Sequence, residues 1–248
     1  MADRIALVTG GGSGVGRAAA TALAEAGWTV VVTGRRREPL EETVSMLAER
    51  RGAAVPADVT DPASVAGLFE TIGARFGRLD LLFNNAGGNV RSTNFGDLTW
   101  EQWRTVLSPN IDGMFLIANA AFRMMRDQSP QGGRIVNNGS ISSHAPRPGS
   151  APYTASKHAV TGLTKSIALD GRAYGIACGQ IDIGNAATAM TERMKTGVPQ
   201  PNGTMAVEPT MPVEEVGRTI VYMGSMPASA NVLFLTVMAT NAPFVGRG

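Results

Sequence analysis

Tyr153 and Lys157 stand four residues apart in the run Tyr153-Thr154-Ala155-Ser156-Lys157. On a helix that spacing puts both side chains on one face. A phenol with its ordinary pKa of about 10 is a poor base at neutral pH. A cation held beside it favours the phenolate and lowers that value. A phenol tuned in this way can take a proton from an alcohol or return one to a carbonyl. The spacing is common by chance, and alone it describes an ordinary helix with a half-buried tyrosine and a solvated lysine. Its meaning depends on what stands upstream.

Far upstream, the apolar run Ile5-Ala6-Leu7-Val8 is ended by Thr9-Gly10-Gly11-Gly12-Ser13-Gly14-Val15-Gly16. The run reads as a buried parallel strand, and a helical pattern follows over 15–26. Strand, glycine turn and helix form the context of a phosphate-binding loop. The glycines let a pyrophosphate approach the backbone, and the helix N-terminus offers free N–H groups and a positive dipole end. The spacing is Gly10-x-x-x-Gly14-x-Gly16 and not G-x-G-x-x-G. A second strand, 28–33, ends in Gly34-Arg35-Arg36-Arg37. In dinucleotide folds an acid at this place holds the ribose hydroxyls, whereas an arginine accommodates a 2′-phosphate. Three arginines and no acid favour NADP(H) over NAD(H). The plainer alternative is a solvated basic turn ahead of a helix over 39–51.

The elements that must position these groups alternate along the rest of the chain. Strands are expected at 53–57, 79–83, 134–138, 176–183 and 232–238. Helices are expected at 62–76, from a Thr99 cap to about 126, at 153–174 and at 213–226. Pro109 falls inside the Thr99 helix and predicts a break or kink beside Asn110. Alternation of this kind implies one α/β domain over 1–248, a Rossmann-type, doubly wound parallel sheet of about seven strands with helices on both faces. The stretch 185–212 has no clean period. It mixes Met190, Met194 and Met205 with Gly197, Pro199, Pro201 and Gly203, and reads as a substrate flap, mobile without ligand.

Composition narrows the class. The chain has 248 residues, 44% apolar and 17% charged, with a net charge of +2, which fits a soluble domain and is too slight a basic excess for nucleic acid. One cysteine, Cys178, allows no intrachain disulfide, and His144 and His158 form no metal site of usual spacing. His158 is expected to be a packing residue. With no leader pattern and no apolar run near the roughly 20 residues of a spanning helix, a cytoplasmic protein without a membrane partner is expected.

Taken together, Thr9-Gly10-x-x-x-Gly14-x-Gly16, Asp58, Asn84-Asn85-Ala86-Gly87, Asn110-x-x-Gly113, Ser140 and Tyr153-x-x-x-Lys157 resemble the short-chain dehydrogenase/reductase family, in its short single-domain branch. The resemblance covers nearly the whole chain. It implies an NAD(P)-dependent oxidoreductase that interconverts a carbonyl and a secondary alcohol by hydride transfer. It implies Tyr153 as general acid/base, Lys157 as the cation that lowers its pKa and binds the nicotinamide ribose, and Ser140 as hydrogen-bond donor to the substrate oxygen. Ser142 and Ser143 stand nearby, so the choice of Ser140 rests on spacing. Asn110 would hold a water that links Lys157 to solvent. Gly10, Ser13, Gly14, Val15 and Gly16 would surround the phosphates, Arg35 and Arg36 the 2′-phosphate, Asp58 and Val59 the adenine. Asn85, Ala86, Gly87 and Gly184 would border the cofactor.

The chain departs from the family pattern at three places. Ile183-Gly184 replaces Pro-Gly after the sixth strand, Met238-Ala239-Thr240-Asn241-Ala242-Pro243 replaces Asp-Gly-Gly after the last, and Pro109 stands where an apolar residue is usual. The family implies a homodimer or homotetramer, and the row Met114, Phe115, Ile117, Ala118 and Ala121 looks more apolar than one sheet face needs. The competing reading is a catalytically silent nucleotide-binding regulator on the same fold. An epimerase or dehydratase of the longer branch needs a C-terminal substrate domain for which 248 residues leave no room. The substrate is not named by the sequence, because the loops at 89–95, 143–151 and 185–208 vary freely on a fixed scaffold.

Overall fold

The computed structural model of the chain describes residues 4–48 and 51–245. Seven strands form one parallel sheet: β1 (Ile5–Thr9), β2 (Thr29–Thr33), β3 (Gly52–Ala54), β4 (Leu81–Asn84), β5 (Gly133–Asn138), β6 (Ile176–Ile183) and, last in the chain, β7 (Phe234–Val237). Their order across the sheet is β3-β2-β1-β4-β5-β6-β7. The order reverses between β1 and β4, and open α/β sheets bind ligands at that divergence, outside the carboxyl ends of the strands.

Alternate side chains of the central strands feed two cores. Ala6, Val8, Val30, Val32, Phe83 and Val136 pack under α1 (Gly14–Glu25), α2 (Arg37–Met46) and α7 (Glu214–Gly224). Ile5, Leu7, Val31, Leu82 and Ile135 pack under α3 (Pro62–Phe76) and α5 (Met114–Asp127). Where α6 (Ala151–Asp170) crosses β5 and β6 the contact is polar instead: the Asn137 amide donates to Thr164 Oγ1 at 3.0 Å, and the Gln180 amide to Thr161 Oγ1 at 3.1 Å.

Several boundaries differ from expectation for identifiable reasons. The helix expected over 39–51 begins at Arg37 and ends at Met46, where Leu47 turns extended and buries itself beneath Gly52. The last residues of that expected helix before Arg51, Glu49 and Arg50, lie outside the described residues, as do the chain ends at 1–3 and 246–248 of the domain expected over 1–248. β3 stops before Pro56, although Val55 and Ala57 still donate to Val32 and Gly34. α6 starts at Ala151, with Pro152 in its first turn where a missing N–H costs nothing, and gives way to a 3-10 turn at Gly171–Tyr174.

The long helix is capped at Thr99 by a reciprocal box with Gln102. It does not break at Pro109: α4 (Trp100–Leu107) passes through a π-helical turn, Ser108–Gly113, into α5. The widened turn accommodates the proline and its missing N–H. Of the apolar row on α5, Met114, Ile117, Ala118 and Ala121 are buried within the chain itself, and only Phe115 is exposed. No helix among the described residues is long and apolar enough to cross a membrane.

Candidate active site

The glycine loop lies at the switch point. Gly10 and Gly14 take φ of +65° and +50°, which side chains rarely adopt, and a Cβ on Gly16 would collide with the Gly10 carbonyl. The N-terminus of α1 is left without a side-chain cap at Ser13, so its first N–H groups remain for an anion. Arg17 braces the loop, donating to the Gly12 carbonyl at 2.7 Å and pairing with Glu42 at 2.6 Å. Gly10, Ser13, Gly14, Val15 and Gly16 line a cleft of about 550 Å³, with exposed Arg35 and Arg36 at one end of it. Asn85, Ala86, Gly87 and Gly184 line the same cleft, as do Ser140, Tyr153 and Lys157.

Three expected site residues stand outside the cleft wall. The Asp58 carboxylate is turned onto its own loop, accepting the Thr60 N–H at 2.9 Å and the Thr60 hydroxyl at 2.7 Å. Those bonds, with a smaller pull from the Arg35 charge, hold it below the usual carboxylate range. Val59 is buried against Gly113. Asn110 lies one layer behind: it accepts the Gly88 N–H at 2.8 Å and donates to the Gly88 carbonyl at 3.0 Å and to Ser156 Oγ at 3.1 Å. Its side chain is thereby committed, so a water held by Asn110 would have to bind its backbone.

A hydrogen-bonded rail runs along the strand ends. Thr9 Oγ1 accepts the N–H groups of Asn85 and Ala86, both at 2.8 Å. Asn138 donates to Asn85 Oδ1 at 2.8 Å, and its own carbonyl accepts Lys157 Nζ at 2.7 Å. Asn138 Oδ1 is buried without a partner, and Asn138 lines the cleft. An orphaned acceptor, an uncapped helix start and a loop too tight for side chains together fit a bound dinucleotide.

The Ser140 side chain lies beside the Tyr153 phenol and lowers its pKa. Ser142 donates its N–H to Ser140 Oγ at 3.1 Å, and the Ser143 hydroxyl is turned away to the Lys157 carbonyl at 3.1 Å. Of the three serines, Ser140 is therefore the one that acts on the phenol. Lys157 Nζ sits 5.5 Å from the centre of the Tyr153 ring. Burial pushes the Lys157 ammonium down to about 8. Burial also pushes the Tyr153 phenol up, against a smaller lowering by the Ser140 hydrogen bond and the Arg147 charge. Lys157 is not among the groups that lower the phenol here, and both groups lie in a poorly solvated corner that disfavours charge on either.

The stretch 185–212 is more built than its sequence implies. Ala186 bridges to Met211, Val198–Pro199 pairs antiparallel with Met205–Ala206, and Met194 and Val198 are buried, while Met190 and Met205 are exposed. Arg147 ties this flap to the loop before α6, pairing with Glu208 at 2.8 Å and donating to Asn185 Oδ1 at 3.0 Å. Ile183 replaces the proline without disturbance: it packs into the core, and the next N–H, of Gly184, still reaches the Val237 carbonyl at 2.8 Å. His158 is not a packing residue. It is exposed, with Nδ1 2.9 Å from the Thr154 carbonyl.

The sequence reading did not single out Asn138, Arg147, Asp182 or Glu208. One signal was available: Gln180 and Asp182 put polar groups at alternate positions of an otherwise apolar strand, which marks a polar face. Arg147, Glu208 and Asn138 offered none, since loop and strand-end polar residues look alike until their partners are known.

Residues 4–198 match the short chain dehydrogenase family. A 3beta-hydroxysteroid dehydrogenase of Mediterraneibacter gnavus is 35% identical over 86% of this chain and 76% of that protein. Sulfoacetaldehyde reductase 2 of Chromohalobacter salexigens is 35% identical over 97% of this chain and 95% of that protein. The crystal structure of acetoin dehydrogenase YohF from Salmonella typhimurium has a TM-score of 0.81 at 30% identity, covering 95% and 94% of the two chains. A 3-ketoacyl-(acyl-carrier-protein) reductase from Brucella melitensis complexed with NADH shares the fold at a TM-score of 0.85, with 24% identity over 96% of this chain and 97% of that one. With this match over most of its length and a cleft built for a nicotinamide dinucleotide, the chain belongs to the short-chain dehydrogenase family and is an NAD(P)-dependent oxidoreductase.

Proposed function

We propose that the enzyme interconverts a ketone or aldehyde and the corresponding alcohol of a small-molecule substrate, with Tyr153 as the general acid/base. The observation that carries this reading is the meeting of Ser140, Tyr153 and Lys157 in the cleft that also holds the glycine loop. The bound nicotinamide supplies the two-electron redox chemistry. Ser140 hydrogen-bonds the substrate oxygen and steadies the phenol. Tyr153 gives that oxygen a proton in reduction and takes it back in oxidation. Lys157, anchored on the Asn138 carbonyl, presents its charge to the phenol and to the ribose. Asn110, through the backbone of the π-helical turn, passes protons between Lys157 and solvent. The related dehydrogenases and reductases, whose names include a hydroxysteroid, an aldehyde and acetoin, support carbonyl chemistry. The test is the change in nicotinamide absorbance across a panel of ketones, aldehydes and alcohols. Cofactor binding with no turnover on any of them would favour a silent nucleotide-binding protein.

NADP(H) is the preferred cofactor in this reading. Arg35 and Arg36 flank the cleft beside the second strand, free of the acid that would repel a 2′-phosphate, and an arginine meets phosphate with charge-assisted bonds. Calorimetric titration is expected to give tighter binding of NADP(H) than NAD(H). Arg35→Ala should weaken NADP(H) by about tenfold, the scale of one charge-assisted bond, and leave NAD(H) nearly unchanged. Equal losses for both cofactors would remove the role of Arg35.

The enzyme is further proposed to work in the cytoplasm as a homodimer or homotetramer. The α5 row supplies only Phe115 to an outer surface, but Trp100 and Leu169 are exposed as well. Light scattering at micromolar concentration is expected to give two or four chain masses, and a monomer would end the proposal.

A further inference from the structure

A buried carboxylate stands directly behind Ser140 and Lys157. Asp182, next to last in β6, is 1% exposed. Its Oδ1 accepts the Ser140 N–H at 2.9 Å, the Gln180 amide at 2.7 Å and the Ser143 hydroxyl at 3.3 Å. Its Oδ2 lies 2.8 Å from His144 Nε2. Room for it comes from Gly139, where a Cβ would collide with Oδ1. One side chain of β6 thus holds the backbone of Ser140, and the single Ser143 hydroxyl proton is shared between Asp182 Oδ1 and the Lys157 carbonyl.

We propose that Asp182 is a positioning residue of this reaction: its carboxylate fixes the Ser140 turn from beneath and stands as the buried counter-charge to Lys157, with His144 linking it to solvent. The inference rests on the reading of Tyr153 and Lys157 given above. The Ser140 N–H and the Gln180 amide donate to a carboxylate that makes no contact with the cleft, with the Ser143 hydroxyl and His144 Nε2 beside it, so its work is done through the groups it holds. The titratable and charged groups around Lys157 are Tyr153 on its own helix, Asp182 and Cys178 on β6, and His144 and Arg147 on the loop before α6. Burial raises the Cys178 thiol to about 12, so it stays uncharged. Asp182 is the acid of this set, and it is the charge that opposes the fall of the Lys157 ammonium. His144 is half-exposed and rests edge-on against Phe244, so the far end of the pair opens at the surface.

The test is the pH profile of Asp182→Asn. Asparagine can keep the oxygen that takes three donors and offer its amide to an unprotonated ring nitrogen of His144, so the charge is lost while the bonds remain. Wild-type kcat/KM for carbonyl reduction is expected to fall above about pH 8 as Lys157 loses its proton. Without the counter-charge, Lys157 gives up its proton at lower pH and the fall begins earlier. A displacement of one unit predicts activities alike near pH 6 and a deficit of about tenfold near pH 9. A deficit of the same size at every pH, or an unmoved alkaline limb, would overturn the proposal and leave Asp182 a structural residue. Circular dichroism checks the fold, and should Asp182→Asn not fold, Asp182→Ser removes the same charge and is read in the same way. Tyr153→Phe is measured alongside. If it stays active, the reading of the active site fails. If it is inactive while the Asp182→Asn profile overlies wild type, only the present inference fails.

Discussion

Tyr153→Phe is expected to lower kcat by about 10²- to 10⁴-fold, the range for loss of a general acid/base, with cofactor affinity within a few-fold of wild type. The substitution removes one oxygen and keeps the ring. That ring lies 5.5 Å from Lys157 Nζ, and the lysine keeps its anchor on the Asn138 carbonyl, so the cofactor side of the cleft is untouched. What disappears is the phenolic proton beside Ser140. In reduction the substrate oxygen must then draw its proton from water, and in oxidation no base stands at that place. The raised phenol sharpens the expectation: a group reluctant to ionise is a ready proton donor at neutral pH, so Tyr153 itself does not limit carbonyl reduction in that range, and Lys157 sets the earlier alkaline fall near 8. Steady-state kinetics on any good carbonyl substrate, with cofactor binding followed by fluorescence, measures both quantities. Near-normal turnover would remove Tyr153 from the mechanism. A parallel loss of cofactor affinity would mean that the phenol holds the cleft open and is no proton donor.

The residues that make the sheet and those of the glycine loop that line the cleft were legible for the same reason. Buried parallel strands need runs such as Thr29–Thr33, and close backbone approach needs Gly10, Gly14 and Gly16, so composition and position carry the information locally. Pro109 likewise announced a disturbance at Asn110, though a π-helical turn and a broken helix ask for the same residues and sequence cannot separate them. What stayed hidden depends on pairs far apart in the chain. Arg147 meets Glu208 across 61 positions (208 − 147) and Ser140 meets Asp182 across 42. A lone polar residue in a loop or strand gives no sign of a partner at such a distance. The contacts of the flap were hidden for the same reason: its glycines and prolines forbid a long helix but give no sign of the Ala186–Met211 bridge or the Arg147 pair. The sign of the tyrosine shift was missed because spacing reports neighbours and not solvent, and here desolvation is the larger effect.

Removing one side of that flap pair should cost more than removing the other. Breaking a buried ion pair by deleting one partner typically costs about 3–5 kcal/mol, because the survivor stays charged and desolvated. The two survivors here differ. The Glu208 side chain is 1% exposed, whereas that of Arg147 is 18% exposed and lines the cleft. After Arg147→Leu, the Glu208 carboxylate keeps the Asn185 amide at 2.9 Å and the Gln200 amide at 3.1 Å but loses the Arg147 charge in a dry site. After Glu208→Leu, the guanidinium can turn toward water at the cleft. Arg147→Leu is therefore expected near the top of that range and Glu208→Leu well below it. The double variant should be more stable than Arg147→Leu alone, since it also removes the buried carboxylate that the Arg147 charge had balanced. If the flap opens as its own unit, the loss appears as faster amide exchange over 186–211 before it appears in the global melting temperature. It should also raise the KM for substrate, because the loop before α6 and the flap both form cleft walls. Urea titration and hydrogen exchange of the three variants measure the order directly. A Glu208→Leu loss equal to or larger than that of Arg147→Leu would show that the pair does not hold the flap by charge. Unchanged exchange over 186–211 in all three would show that the flap is held by the packing of Met194, Val198 and Met211 instead.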